Sequence, residues 1–205
     1  LNCGPGSKDK KIRVKQNLMI AKNKVCKTPK NIFLLHQTHS NKFIFLSKNQ
    51  KFYQKKIKAD AVITDQIKLP IAVLTADCVP VLLFDKEKKL IAAIHAGWKG
   101  AFRGIISKVI KYMKKKGSKP QNIIAAIGPC IGKKSYNVGQ DFKKKFLKKN
   151  KKNNIFFNIK KNMIYFDLPN FVKSQLKINK ITKIDMNNVD TFVKKNNFFS
   201  ARQAI

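Results

Sequence analysis

Two apolar runs constrain the fold most: residues 79–84 (Val-Pro-Val-Leu-Leu-Phe) and 90–95 (Leu-Ile-Ala-Ala-Ile-His), joined by Asp85-Lys86-Glu87-Lys88-Lys89. Both have strand length, and neither shows the apolar–polar alternation of a half-wet strand. A hairpin buried on both faces is therefore expected. Pro80 removes a ladder donor and belongs at the start of its strand. Residues 31–35, 43–46, 59–65, 71–75, 123–127 and 181–184 read as further strands, and 155–166 as another apolar, aromatic stretch. Helices are expected at 8–25, 101–116, 139–149 and 168–178. The second of these carries Ile105, Ile106, Val109, Ile110 and Met113 at helical spacing and stops at Gly117. Asp167 caps the last, with Pro169 in its first turn. Residues 47–58 are a polar surface loop or helix.

Buried strands alternating with surface helices imply an α/β fold, a single three-layer domain with a central mixed β-sheet flanked by helices. A length of 205 residues with 43% apolar content suits one such domain, spanning 1–205. The chain opens at Leu1-Asn2-Cys3 and stops at Ala204-Ile205, so trimming at both ends is expected. No apolar run approaches the roughly 20 residues of a membrane span, and no leader pattern is present. Cys3, Cys26, Cys78 and Cys130 are scattered, without a CxxC pair, which fits free thiols in a reducing, cytoplasmic setting. Cys3 and Cys26 read as structural.

A formal charge of +35 suggests a polyanionic partner. Against that, the excess is nearly all lysine. Arg13, Arg103 and Arg202 are the only arginines, and bidentate reading of bases and phosphates favours arginine. The lysines are also spread along the whole chain beside abundant Asn, Ile and Phe, a pattern that compositional bias explains. No specific nucleic acid and no membrane are expected as partners.

The chain has three histidines, and two of them, with one cysteine, fall in small-residue strand-to-turn segments: His36-Gln37-Thr38-His39, Thr75-Ala76-Asp77-Cys78 and His95-Ala96-Gly97-Trp98-Lys99-Gly100. One thiolate and two imidazoles suit a zinc site with an open fourth position. His39, Cys78 and His95 are the candidate ligands, although Cys78 alone could equally be a packed core thiol. Gaps of 39 and 17 residues are too long for a zinc finger, so the ligands must come from separate strand ends. Asp77 could orient an imidazole or take a proton. Asp60 and Asp65 are weaker, more structural candidates. His36 faces away from His39 on a strand. The 97–100 turn leads into a helix N-terminus where an anion could sit beside Lys99 and Arg103. Trp98 could stack on a flat base or simply fill the core. Cys130 reads as packing.

These segments, together with Ala59-Asp60-Ala61, Val79-Pro80, Ile127-Gly128-Pro129-Cys130-Ile131-Gly132 and Phe199-Ser200-Ala201-Arg202, resemble the laccase-domain family, also labelled polyphenol oxidase-like and purine nucleoside phosphorylase. They occur in family order across nearly the whole chain. The resemblance implies zinc at His39, Cys78 and His95, with copper the second choice. It implies phosphorolysis of adenosine, inosine and methylthioadenosine, with adenosine deamination as a side activity. Asp77, Cys78 and His95 would then be catalytic, and Lys99, Arg103, Trp98 and Arg202 would meet nucleoside and phosphate. A monomer or small homo-oligomer is expected. Two positions depart from the family pattern: Ser40 stands where glycine is usual, and Lys99 where arginine is usual. Two alternatives remain, a metal-independent cysteine hydrolase using Cys78 and His95 and a copper-dependent polyphenol oxidase. Three histidines are too few for a type-1 copper site plus a trinuclear cluster.

Overall fold

The computed structural model describes residues 1–28, 30–48 and 57–204. In chain order its main elements are α1 (Lys11–Val25), β1 (Phe33–Leu34), β2 (Phe43–Leu46), β3 (Ala61–Thr64), β4 (Ile71–Ala72), β5 (Val79–Asp85), β6 (Leu90–Ala96), α2 (Trp98–Phe102), α3 (Ile105–Lys115), β7 (Ile123–Ile127), β8 (Asn137–Val138), α4 (Gln140–Lys149), β9 (Phe157–Lys160), β10 (Met163–Phe166), α5 (Leu168–Ile178) and β11 (Lys183–Met186). Of the expected surface segment 47–58, residues 49–56 lie outside the described residues.

The anticipated hairpin forms the middle of a six-stranded sheet ordered β11-β7-β5-β6-β3-β2. β2 pairs parallel with β3 and β7 parallel with β11, while the central pairings are antiparallel, so the sheet is mixed as expected. Pro80 is the second residue of β5, opposite His95. Helices α3 and α5 cover one face. The α3 side chains Ile105, Ile106, Val109, Ile110 and Met113 are all fully buried, each contributing roughly 1.5–3 kcal/mol of apolar transfer. The Asp167 side chain accepts from Asn170 N at 3.1 Å and caps α5, with Pro169 in the first turn.

The opposite face departs from the expected burial. A separate parallel pair, β1–β4, and its flanking residues cover only the β3 side, with Phe33, Leu35, Leu46, Val62 and Ala93 in a second small core. Leu82 and Phe84 of β5 are 54% and 43% exposed, and Ile124 of β7 is 45% exposed. An apolar run records which residues can be buried, but not whether the fold supplies a second layer to bury them.

The expected 101–116 helix is also divided. α2 is a single short helix that ends at Arg103, Gly104 takes φ +79°, and α3 starts afresh at Ile105. Residues 155–166 become a hairpin, β9–β10, extended by β8 into a three-stranded sheet.

Candidate active site and metal centre

The candidate ligands meet at one end of the central sheet. His39 lies in the loop before β2, Cys78 immediately precedes β5, and His95 is near the end of β6. Their donor atoms lie within 4.8 Å of one another, the sole such cluster of metal-binding side chains among the described residues. The two imidazoles pack edge to face with centroids 4.8 Å apart. His36 is exposed and outside the cluster, its backbone bridging to Lys58.

Asp60 holds this arrangement together. It precedes β3, and the antiparallel register Ala61↔Ile94 places it beside His95, whose backbone N–H donates to Asp60 O at 2.7 Å. Its fully buried carboxylate accepts from His95 Nδ1 at 2.8 Å. A carboxylate only accepts, so Nδ1 carries the proton and Nε2 is left as the lone-pair donor. The 38–40 loop wraps the same carboxylate. His39 N donates to Oδ1 at 2.9 Å, and Ser40 N and Oγ each donate to Oδ2 at 2.6 Å. Burial alone would raise the Asp60 pKa, but hydrogen bonds from His95, Ser40 and Thr38 outweigh it and hold the group well below the ordinary carboxylate range.

Asp77 was the carboxylate expected to orient an imidazole, and in the structure that contact belongs to Asp60. Both Asp77 oxygens instead face residues 191–202: Thr191 Oγ donates at 2.7 Å, Ser200 Oγ at 2.9 Å and Arg202 N at 2.7 Å. The left-handed backbone at Asp77 (φ +78°) sends adjacent side chains to different partners, although Asp77 lines the same cavity as Cys78.

The cluster is closely packed on its Gly97–Gly100 side, with His39 exposed, Cys78 half-buried and His95 buried. A Cβ on Gly97 would lie 2.8 Å from Cys78 Sγ and 3.1 Å from His39 Cδ2, and a Cβ on Gly100 would lie 2.7 Å from Ser40 O. Only glycine allows the 97–100 turn to approach both the thiol and the 38–40 loop. Burial, with the Asp77 and Asp60 charges behind it, pushes the Cys78 thiol up to about 12. Burial, followed by the nearby His95 and Lys99, lowers the His39 pKa against the pull of Asp60. The cage therefore favours a neutral imidazole and a protonated thiol, and a bound cation would have to displace the thiol proton. A soft thiolate with two imidazoles, one of them oriented by a carboxylate, is a donor set that fits a zinc-like ion.

His39 and Cys78 open onto a cavity of about 480 Å³ that Trp98, Tyr136, Phe142 and Arg202 also line. Trp98 and Phe142 pack with centroids 4.9 Å apart. The Arg202 guanidinium donates to Asn137 O and lies 5.6 Å from the Tyr136 ring centroid. Of the residues expected to meet substrate, Trp98 and Arg202 line the cavity. Lys99 is exposed, with Nζ 5.7 Å from the Trp98 centroid. Arg103 does not line it. Arg103 caps the C-terminal end of α2 and directly precedes Gly104, the N-cap of α3, away from the cavity wall. All four cysteines are free, and Cys130 is buried.

The description "Multi-copper polyphenol oxidoreductase laccase" matches residues 1–205. The chain belongs to this laccase-like family. A curated purine nucleoside phosphorylase of Rickettsia prowazekii (strain Madrid E) is 39% identical over 178 residues, 85% of this chain and 71% of that one. Another, from Haemophilus influenzae, is 36% identical over 98% of this chain and 81% of its own. The crystal structure of the Bacillus licheniformis hypothetical protein YfiH superposes with a TM-score of 0.88 at 27% identity, covering 98% of this chain and 80% of that one. A Neisseria meningitidis protein of known structure gives 0.83 at 28% identity, with the same coverage. The laccase-like family thus contains relatives named for nucleoside phosphorolysis, and this member keeps a His–Cys–His cluster at the end of its sheet. Among the described residues no helix is long and apolar enough to cross a membrane.

Proposed function

We propose that this chain is a zinc-dependent purine nucleoside phosphorylase acting on adenosine, inosine and methylthioadenosine, with adenosine deamination as a side activity. The observation that carries the reading is the convergence of His39, Cys78 and His95 in one cluster, whose His39 and Cys78 line an aromatic cavity that Arg202 also lines. The names of the curated relatives support it.

Zinc held by those three residues would supply Lewis acidity and an activated water at the cavity wall. The chain's own residues do the rest. Asp60 fixes the His95 tautomer, so Nε2 faces the site. Trp98, Tyr136 and Phe142 offer apolar walls to a flat purine. Among the described residues Arg202 is the one arginine or lysine lining the cavity, and it is placed to meet phosphate. In phosphorolysis the phosphate oxygen bonds to ribose C1′ as the C1′–N9 bond breaks and the base leaves with a proton. Lys99 adds positive charge near His39. Asp77 lines the cavity while its carboxylate accepts from Thr191, Ser200 and Arg202 N.

Chromatography of adenosine incubated with zinc-loaded protein, with and without phosphate, tests the reading. Phosphate-dependent adenine that disappears in His39→Ala supports it, whereas inosine formed without phosphate marks deamination alone. Unchanged adenosine from folded, zinc-loaded protein sinks it.

A second reading has one observation in its favour: His95 is hydrogen-bonded to Asp60 and has a ring nitrogen within 4.8 Å of Cys78 Sγ, the order of groups a cysteine hydrolase uses. The protonated, buried thiol weighs against it. Loss of activity with iodoacetamide but not with chelators would restore it.

A further inference from the structure

Asp77 does something the reaction chemistry does not ask of it. It is 8% exposed, precedes a proposed metal ligand, and holds a left-handed backbone conformation that L-residues adopt at a cost. Its backbone oxygen accepts from Ile131 N at 3.0 Å, tying it to the 128–132 turn. Its carboxylate is spent on a segment more than a hundred residues away: Thr191 Oγ on one oxygen, Ser200 Oγ and Arg202 N on the other. The near end of that segment is laced independently onto the 130–135 loop. Cys130 N donates to Val189 O at 3.3 Å, Thr191 N to Cys130 O at 3.0 Å, and Ser135 Oγ to Asp190 Oδ2 at 2.7 Å. At the far end residues 201–204 are exposed, and besides Asp77 the ties are the Arg202 guanidinium on Asn137 O and the Gln203 amide on Phe192 O. There the Asp77 carboxylate holds the backbone of the residue whose guanidinium lines the cavity.

We propose that Asp77 is a positioning residue that seats Ser200–Arg202 against the site and so aims Arg202 at the substrate's anion. It takes no proton in the reaction. One turn thereby couples the two halves of the site, since Cys78 faces the imidazoles while its neighbour fixes the cation. This inference rests on the phosphorolysis reading for its kinetic consequence, but not for its structural one.

The test is Asp77→Asn in zinc-loaded protein. Asparagine keeps the size and enters the left-handed region as readily as aspartate. Its amide has one acceptor oxygen where the carboxylate has two, so Thr191, Ser200 and Arg202 can no longer all donate to it, which loosens the seat without breaking the turn. The expected result has three parts. Zinc content is unchanged. The KM for phosphate rises about tenfold, the loss of roughly one charge-supported contact, while kcat changes much less. Trypsin cleavage after Arg202, followed by mass spectrometry, becomes several-fold faster. Arg202→Ala should raise the same KM, and adding Asp77→Asn to it should raise it no further.

A fall in kcat with KM unchanged would overturn the proposal, because Asp77 would then act on the reacting atoms. Multiplicative effects in the double variant, or trypsin cleavage no faster than in the parent protein, would overturn it as well. If the parent protein shows no phosphorolysis, faster cleavage with zinc retained still supports the seat, and only the kinetic reading fails. If Asp77→Asn does not fold, Ser200→Ala takes its place. It removes one of the two donors on that oxygen and should give smaller changes in the same directions, and none at all counts against the proposal.

Discussion

Asp60 Oδ1 lies 2.8 Å from His95 Nδ1, and both side chains are withdrawn from water, at 0% and 3% exposure. The pair is assembled from adjacent antiparallel strands, so the orientation of the imidazole is built into the sheet. The same carboxylate gathers the 38–40 loop, which carries the second imidazole. One buried anion therefore sets the position of two of the three proposed ligands.

Asp60→Asn should weaken zinc binding by about 10- to 100-fold, the usual consequence of losing a carboxylate behind a histidine ligand. Stability should fall by about 2–4 kcal/mol, because donors aimed at Oδ2 or Oδ1 would face an amide NH₂. Competition with a chromophoric chelator reads the first, and urea unfolding of the metal-free protein the second.

The pH dependence of that penalty has a definite sign. The folded-state pKa of Asp60 is depressed, so its contribution is fully present above the unfolded value of about 3.9 and is lost as pH falls toward the folded value. The stability gap between the parent protein and Asp60→Asn should stay flat from about pH 7 to pH 5 and narrow below about pH 4. A gap that closes between pH 7 and 5 would assign the effect to another group.

Ser40 contributes to the same anion through its hydroxyl, at 2.6 Å from Asp60 Oδ2. Where the family pattern has glycine, that bond cannot form. Ser40→Gly should therefore lower the stability of this chain by about 1–2 kcal/mol, the range of a hydrogen bond to a charged group plus added backbone freedom. Thermal unfolding of the metal-free protein measures it, and an unchanged midpoint refutes it.

Gly97→Ala tests how closely the cage is packed on that side. The Gly97 backbone (φ −65°) suits alanine, so strain would come only from the methyl group meeting Cys78 Sγ and His39. Zinc stoichiometry should drop sharply, while the metal-free fold loses about 1–3 kcal/mol, the range for overpacking. Retained full zinc occupancy would show that the thiol has room to move.

Burial pushes the Cys130 thiol up to about 12, as it does that of Cys78. At pH 8 about one such thiol in 10⁴ is ionised. Iodoacetamide should label the half-buried Cys3 and Cys26 well before either in metal-free protein, as peptide mapping would show. Rapid labelling of Cys78 would favour the hydrolase reading.

The His39–Cys78–His95 cluster was legible in the sequence because histidine and cysteine are scarce here and sit in turn-forming segments. Asp60 was legible only as a weak candidate: its importance comes from strand register, which brings it beside a residue 35 positions away, and no local spacing signals that. Asp77 attracted attention by adjacency to Cys78, and a single positive φ redirected it. The same limit applies to Arg103, which caps the C-terminal end of α2 away from the cavity wall. It also applies to Leu82 and Phe84, whose apolar character promised a covering layer that β1–β4 extends only part of the way. The mixed central sheet was legible because long apolar strands leave few other arrangements.

The spacing of the cage also bears on how the protein folds. Its three donors come from a loop, the residue before β5 and the end of β6, which only the completed β3–β6–β5 pairings gather, so a chain still lacking those long-range contacts has no preformed site to offer a cation. Metal should then act as a late clasp, leaving the refolding rate nearly unchanged while slowing unfolding, and its stabilising effect should grow with free metal concentration.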